Sequence, residues 1–357
     1  MTAFPEEIDL LAGLLDQYSP SEAERPAVTY LVEQMVQRGF AAHVDEAGNA
    51  VGVIGNGERE ILLLGHIDTV PGRIAVCRDG DTLFGRGAVD AKGPLSTFVA
   101  AATRAAAQVP AERLRIAVVG AVEEEAATSK GARHVLTQRR PDAVVIGEPS
   151  QWDCITLGYK GRLLLDFVYR QDLSHTAGQN AGVCETLVDY WLRVREYAAD
   201  YNRDKTRLFE TIDPSLRRVV SSSDGLAEQV DATIAFRLPL EADVDALKRY
   251  LTEAAPAGAS ITLYAEEVAF RADKNTALSR HFRTAIRENG GKPTFKVKTG
   301  TSDMNVVGPV WQCPIVAYGP GDSNLDHTPH EHIQLEEYGR AIAVLTSVLV
   351  ALGSEGP

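Results

Sequence analysis

Short apolar runs alternate with stretches of helical spacing along most of this chain. "SPSEAERPAVTYLVEQMVQRGF" (19–40) opens with Ser21 in an N-cap position and Glu24 in the capping-box place, followed by apolar residues at helical intervals. β-like runs come next, in "AAHVDEAGNAVGVIG", "EILLLGHID" and "DTLFGRGAVD". They are followed by an Ala-rich helix, "GPLSTFVAAATRAAAQ" (93–108), and a strand, "LRIAVVGAVEEE" (114–125). A further helix, "SKGARHVLTQRR", leads to an apolar strand, "AVVIGE" (143–148). This alternation predicts an α/β fold: a mixed, largely parallel sheet with flanking helices.

The texture changes near residue 159. "GRLLLDFVYR" (161–170) and "QVDATIAFRLP" (229–239) alternate like half-exposed antiparallel strands. Helices over 183–202 and "EADVDALKRYLTEAA", and a strand over 260–270, complete a small α+β unit. From "NTALSRHFRTAIRENG" the first pattern resumes, with "CPIVAYGPG" as a strand and "EEYGRAIAVLTSVLVALG" as the closing helix. The expected division is therefore a discontinuous domain of 1–159 and 273–357, interrupted by an inserted domain of 160–272.

At 357 residues the chain exceeds the usual reach of one core, which agrees with two domains. No apolar run approaches the roughly 20 residues of a membrane helix, and the acidic N-terminus lacks the basic start of a secretory signal. The expectation is a cytoplasmic protein with no membrane partner. A formal charge of −13 argues against a nucleic-acid partner, because no basic surplus exists to displace counterions. Cys77, Cys154, Cys184 and Cys313 form no close pair and read as buried, reduced thiols.

Candidate chemistry lies where strands end. Ligands of open α/β sheets gather at the carboxyl ends of strands, and there the sequence places His66 and Asp68, Asp90, Glu123 to Glu125, Glu148 and, late in the chain, His327. Each alone reads as a cap or turn residue. Converging carboxylates, however, repel one another unless cations compensate them. Imidazole with carboxylate suits zinc, cobalt or manganese better than magnesium or calcium. Two divalent ions sharing one carboxylate fit the count of donors.

"HID" (66–68), "GRGAVDAKG" (85–93), the glutamate cluster, "GEP" (147–149) and "DHTPHE" (326–331), in that order, resemble the M20 family of di-zinc aminoacylases and exopeptidases. The resemblance implies a ferredoxin-like inserted domain that serves as lid and dimerisation unit. It implies two divalent ions, zinc foremost and cobalt as an alternative, one held by His66, Asp90 and Glu148 and the other by Asp90, Glu125 and His327. It also implies a cis peptide after the bridging Asp90. Asp68 would accept the second N–H of His66 and fix its tautomer. The family pattern makes Glu124 the general base and Glu125 a ligand; a shift of one residue would assign these roles to Glu123 and Glu124. His175, in "DLSHTAGQNAG", would reach a homodimeric partner's site and stabilise the oxyanion, and Arg237 would pair with a substrate carboxylate.

Longer stretches, "VEEEAATSKGAR", "GEPSQWDCITLGYKGR" and the region 298–332, resemble the branch that releases lysine or ornithine from the C-terminal glutamate γ-carboxyl of the carrier protein LysW. Thr301, Ser302 and Asp303 would then supply polar substrate contacts, with Asp303 facing the distal ammonium. Such a carrier is acidic, so a local basic rim would have to offset the chain's own negative charge, with Lys160 and Arg162 as its candidates. The alternative within the family is an N-acetylornithine or N-acetyl-lysine deacetylase.

Overall fold

The computed structural model describes residues 4–175 and 181–355. Two compact units emerge: one of 1–158, 272–297 and 302–357, the other of 159–271 with 298–301.

In the first unit the central sheet runs in the order Ala41–Val44, Ala50–Ile54, Arg115–Ala121, Glu60–His66, Ala143–Gly147, Ile315–Tyr318, Cys154–Tyr159. The four strands from Arg115–Ala121 to Ile315–Tyr318 are mutually parallel, and their outer neighbours are antiparallel. Glu60–His66 is buried at every position, as its unbroken apolar run requires of a strand covered on both faces. Helix Lys92–Ala106 packs on this sheet, with Leu95, Phe98 and Val99 in one core with Ile61, Leu63 and Val118. Helices Pro5–Asp16 and Leu335–Ser354 add Leu11, Leu14, Leu345 and Val348 to that core.

Register sets the position of the site. His66 pairs with Ala121, and Gly65 with both Gly120 and Gly147. Parallel strands in this register bring the residues after 66, 121 and 147 to one edge, so side chains remote in sequence leave the sheet together. A separate small sheet pairs Thr82–Phe84 with Cys77–Asp79 on one side and with His332–Gln334 on the other.

The second unit is a four-stranded antiparallel sheet in the order Asp213–Ser223, Ala227–Leu238, Gly161–Asp172, Ser260–Glu267. With helices Val183–Asn202 and Val244–Glu253 its chain order is β-α-β-β-α-β, the ferredoxin-like arrangement. Phe167, Tyr190, Ile234, Leu247 and Leu251 lie in its core.

Several expectations need correction. Strand Asp213–Ser223 is absent from the sequence reading because its side chains are exposed or half-buried along its whole length, which leaves no alternation to detect. The helix expected after Ser21 begins only at Arg25, with Pro26 in its first turn. Tertiary partners take both presumed capping side chains. Ser21 Oγ donates to Asp68 Oδ2 at 2.7 Å, and Glu24 Oε1 accepts from the backbone N–H of Glu22 and of Glu123. The cysteines are free thiols as expected, but Cys77 and Cys184 are exposed and Cys154 and Cys313 only partly buried. Lys160 is fully buried inside the second unit, where Nζ donates to the carbonyls of Leu208 and Thr211 and to Asp213 Oδ2 at 2.6 Å. It is a strut and forms no rim.

Leu63 lies wholly within the first unit's core. Leu63→Ala is expected to lower that unit's unfolding free energy by about 2–5 kcal/mol, read as an earlier transition in urea followed by circular dichroism. An unchanged midpoint would mean that the central strand is not load-supporting in this way.

Candidate metal centre

His66 ends its strand fully buried, and Asp90 arrives from the loop after the Thr82–Phe84 strand. That loop turns at Gly87, whose φ of +87° strongly disfavours a side chain and whose carbonyl accepts from Lys92 N. His66 Nε2 lies 3.0 Å from Asp90 Oδ1, and His327 Nε2 lies 3.0 Å from Asp90 Oδ2. The two oxygens of one carboxylate therefore each face a different imidazole. His327 Nε2 is also 2.9 Å from Glu125 Oε1. Donor atoms of His66, Asp90 and Glu125 all lie within 4.8 Å of one another.

The glutamate run separates by direction. Glu123 turns away from the imidazoles, ion-paired to Lys130 at 3.0 Å and bonded to the Thr128 hydroxyl. Glu124 Oε2 stands 4.0 Å from His66 Nε2, and Glu125 meets His327. Glu123 (φ 58°) and His327 (φ 61°) both hold the left-handed conformation, unusual for residues other than glycine and found where a loop must aim a side chain. Glu148 is buried, and its charge reaches Glu124.

Asp68 meets His66 through two groups. His66 Nδ1 is 3.0 Å from the backbone carbonyl of Asp68 and 3.5 Å from its carboxylate. The close partner that fixes the tautomer is thus the carbonyl. The carboxylate accepts from the backbone N–H of Glu124 and of Glu125, both at 3.0 Å, and from Ser21. Asp68 therefore holds the imidazole and the glutamate loop in one frame. Burial alone would raise its pKa, but His66, Ser21 and the Glu124 amide hold it below the ordinary value.

Electrostatics reflect the crowding. Glu124 is pushed well above a normal carboxylate, first by burial, then by Glu148, Asp303 and Glu125, against the opposing pull of His66. Asp90 is held far below normal, since hydrogen bonds and charge from both imidazoles outweigh its burial. His327 is pushed up to about 10 by Asp90 and Glu125. His66 is also raised, because Glu124, Asp68 and Asp90 overcome its desolvation. This donor set demands positive charge, and two imidazoles with several carboxylates suit ions of the zinc and cobalt type.

Other candidates lie elsewhere. Asp303 is buried in the first turn of helix Asp303–Trp311 and acts on Glu124 through its charge. Ser302 caps that helix, its Oγ accepting from Met304 N and its N–H bonding to Asn305 Oδ1. In the second unit, half-buried Arg237 donates to Thr301 Oγ1, and His175 is exposed beside the undescribed residues 176–180. Residues Ser21 and Glu24 escaped the sequence reading as loop holders. Their local spacing mimics a helix cap, and only the fold reveals their distant partners.

Comparison with known proteins agrees with this geometry. The model of Peptidase family M20/M25/M40 matches residues 62–351. A LysW-lysine hydrolase of Deinococcus radiodurans is 49% identical over 347 residues, covering 94% of this chain and 93% of the relative. A putative LysW-lysine/LysW-ornithine hydrolase of Thermococcus kodakarensis is 39% identical and covers 99% and 94%. Among solved structures, an M20 metallo-carboxypeptidase of Sulfolobus solfataricus superposes with a TM-score of 0.80 at 19% identity, covering 98% and 99%. A Bacillus subtilis dinuclear metal-binding peptidase of the M20 family gives 0.68 at 13%, covering 97% of each chain. The chain belongs to peptidase family M20/M25/M40.

Proposed function

We propose that this protein is a cytoplasmic di-metal amide hydrolase that releases lysine or ornithine from the C-terminal glutamate γ-carboxyl of the carrier protein LysW. The observation that carries the chemistry is Asp90, with one carboxylate oxygen against each imidazole. The substrate follows from relatives named for LysW-linked lysine and ornithine. His66, Asp90 and Glu148 would hold one ion, and Asp90, Glu125 and His327 the other, with zinc preferred over cobalt. When bound, such ions lower the pKa of water and polarise a carbonyl.

Glu124 takes the proton of the attacking water and returns it to the departing amine. Burial and neighbouring acids give it the high proton affinity that a base at neutral pH needs. Arg237 pairs with the carboxylate of the released amino acid, with Thr301 holding the guanidinium in place. Asp303 is offered to the distal ammonium. The Ser302 hydroxyl accepts from Met304 N as a cap and can still donate its own proton to substrate. His175, supplied across a homodimer, stabilises the oxyanion. Edge strand Asp213–Ser223 supports such a dimer: it exposes Leu216, Val219 and Val220, and the nearby sequence of helix Val183–Asn202 exposes Val188 and Leu192.

With Lys160 buried, another surface supports approach of an acidic carrier. Residues 274–296 hold six Lys and Arg against one acid, Glu288. Lys274, Arg280, Arg287 and Lys292 are exposed, and among the described residues none of them is in an ion pair. The segment ends seven residues before Asp303.

Carrier-linked lysine should be turned over in strong preference to N-acetyl-lysine and N-acetylornithine in a metal-reconstituted assay. The reverse preference would make the protein a deacetylase. Glu124→Gln should cut kcat by about 10²- to 10⁴-fold with metal content unchanged, measured by kinetics and elemental analysis on the same sample. Because His327, pushed up to about 10, holds its proton at neutral pH without metal, and His66 is shifted in the same direction, binding must expel protons. Apparent metal affinity should therefore climb as pH rises from 6 to 9, by about tenfold per unit for each proton released. Titration calorimetry in buffers of different ionisation enthalpy would show this, and no buffer dependence would contradict it. Reversing charge with Arg280→Glu and Arg287→Glu should raise KM for the carrier-linked substrate roughly tenfold at low salt. KM for small acyl-amino acids should stay the same; equal effects on both would remove the docking role.

A further inference from the structure

Two buried charges outside the ligand set connect the loops that present Asp90 and His327. Glu331 is 1% exposed and Arg86 7%. Glu331 Oε1 accepts from the backbone N–H of Val89 and of Asp90, both at 3.0 Å. Glu331 Oε2 accepts from Arg86 Nη1 at 2.8 Å. The same guanidinium donates to the Thr328 carbonyl at 3.1 Å and, through Nε, to the Gly72 carbonyl at 2.9 Å. A side chain from the His327 loop thus grips the amide of Asp90, while a side chain from the Asp90 loop grips the residue after His327.

The fold does not need this pair to join the two segments. Phe84 and His332 are already paired between strands Thr82–Phe84 and His332–Gln334, and Gly85 N donates to the Glu331 carbonyl. A buried ion pair adds little stability over well-packed apolar residues of similar size. What the side chains add is geometry beyond the strand ends, where both ligands project from loops. His327 depends on it most, being half exposed and in a left-handed backbone conformation.

We propose that Glu331 and Arg86 are positioning residues that lock Asp90 and His327 into one spacing, so that the clamp sets the affinity of the ion on the His327 side. This rests on the two-ion centre proposed above. Two of that ion's three ligands, Asp90 and His327, sit on clamped loops, against one of three, Asp90, for the ion beside His66. Loosening the clamp therefore discriminates between the ions.

Glu331→Gln keeps an acceptor for the two backbone amides but removes the charge that holds Arg86. Arg86→Lys keeps the charge but loses the fork that reaches Thr328 and Gly72. Metal-free wild-type protein and both variants would be titrated with zinc and with cobalt, following heat and cobalt absorption, and the metal-free proteins melted in parallel. The expected result is two ions in the wild type and, in each variant, one ion held as before while the other is weakened by about 10- to 100-fold. Glu331→Gln, which leaves Arg86 buried without its counter-charge, should lower the metal-free melting temperature, and Arg86→Lys, which keeps the charge, should lower it less. Wild-type affinity for both ions in the variants would overturn the clamp. So would equal weakening of both ions, which is the mark of a merely structural pair. If Glu331→Gln does not fold, Arg86→Lys decides by the same readings. A wild-type protein that binds no ion would instead defeat the two-ion centre, which separates that failure from this one.

Discussion

Everything about this site follows from acids gathered where acids repel. Asp90, Glu124, Glu125 and Glu148 converge at one edge of a sheet, largely out of water. Such a group of charges is tolerable only with positive charge among them. The displaced proton affinities state this directly: Glu124 and Glu125 rise, Asp90 falls between two imidazoles, and both imidazoles hold their protons far more tightly than free histidine. Protons and divalent ions compete for the same place, and the competition links the chemistry of the centre to pH.

Precision in such a centre comes from what surrounds the ligands. Strand register delivers His66 and the glutamate loop to a common level, and Asp68 then binds both, the imidazole through its carbonyl and the loop through its carboxylate. Ser21 and Glu24, from the segment before a distant helix, brace the same loop. On the other side, Glu331 and Arg86 perform the matching task for Asp90 and His327. Rigid strands set the coarse placement, and buried polar side chains refine it, an arrangement that suits ligands needing tight geometry.

The second unit is built on another principle. Its helices and one face of its sheet make a self-sufficient core, while its edge strand Asp213–Ser223 leaves apolar side chains exposed. An unpaired edge of this kind is a hazard unless something covers it, and a second copy of the chain is the proposed cover. Charge is distributed unevenly too. A chain of net −13 concentrates six of its cations within 274–296, where an acidic partner meets less repulsion than the net charge implies.

By itself the sequence determined the elements with strong internal periodicity and the order of the chemistry. Glu60–His66, Arg115–Ala121 and Ala143–Gly147 were legible because buried parallel strands are continuous apolar runs, and the candidate ligands stood out as charges at their ends. Local pattern could not assign partners. It could not show that Lys160 is enclosed, that Ser21 serves Asp68 rather than a helix, that Glu123 turns away while Glu124 turns in, or that Asp213–Ser223 is a strand. Each of these is decided by a neighbour dozens or hundreds of residues away. Hydrogen bonding and burial act through space, and only the tertiary structure states which residues share it.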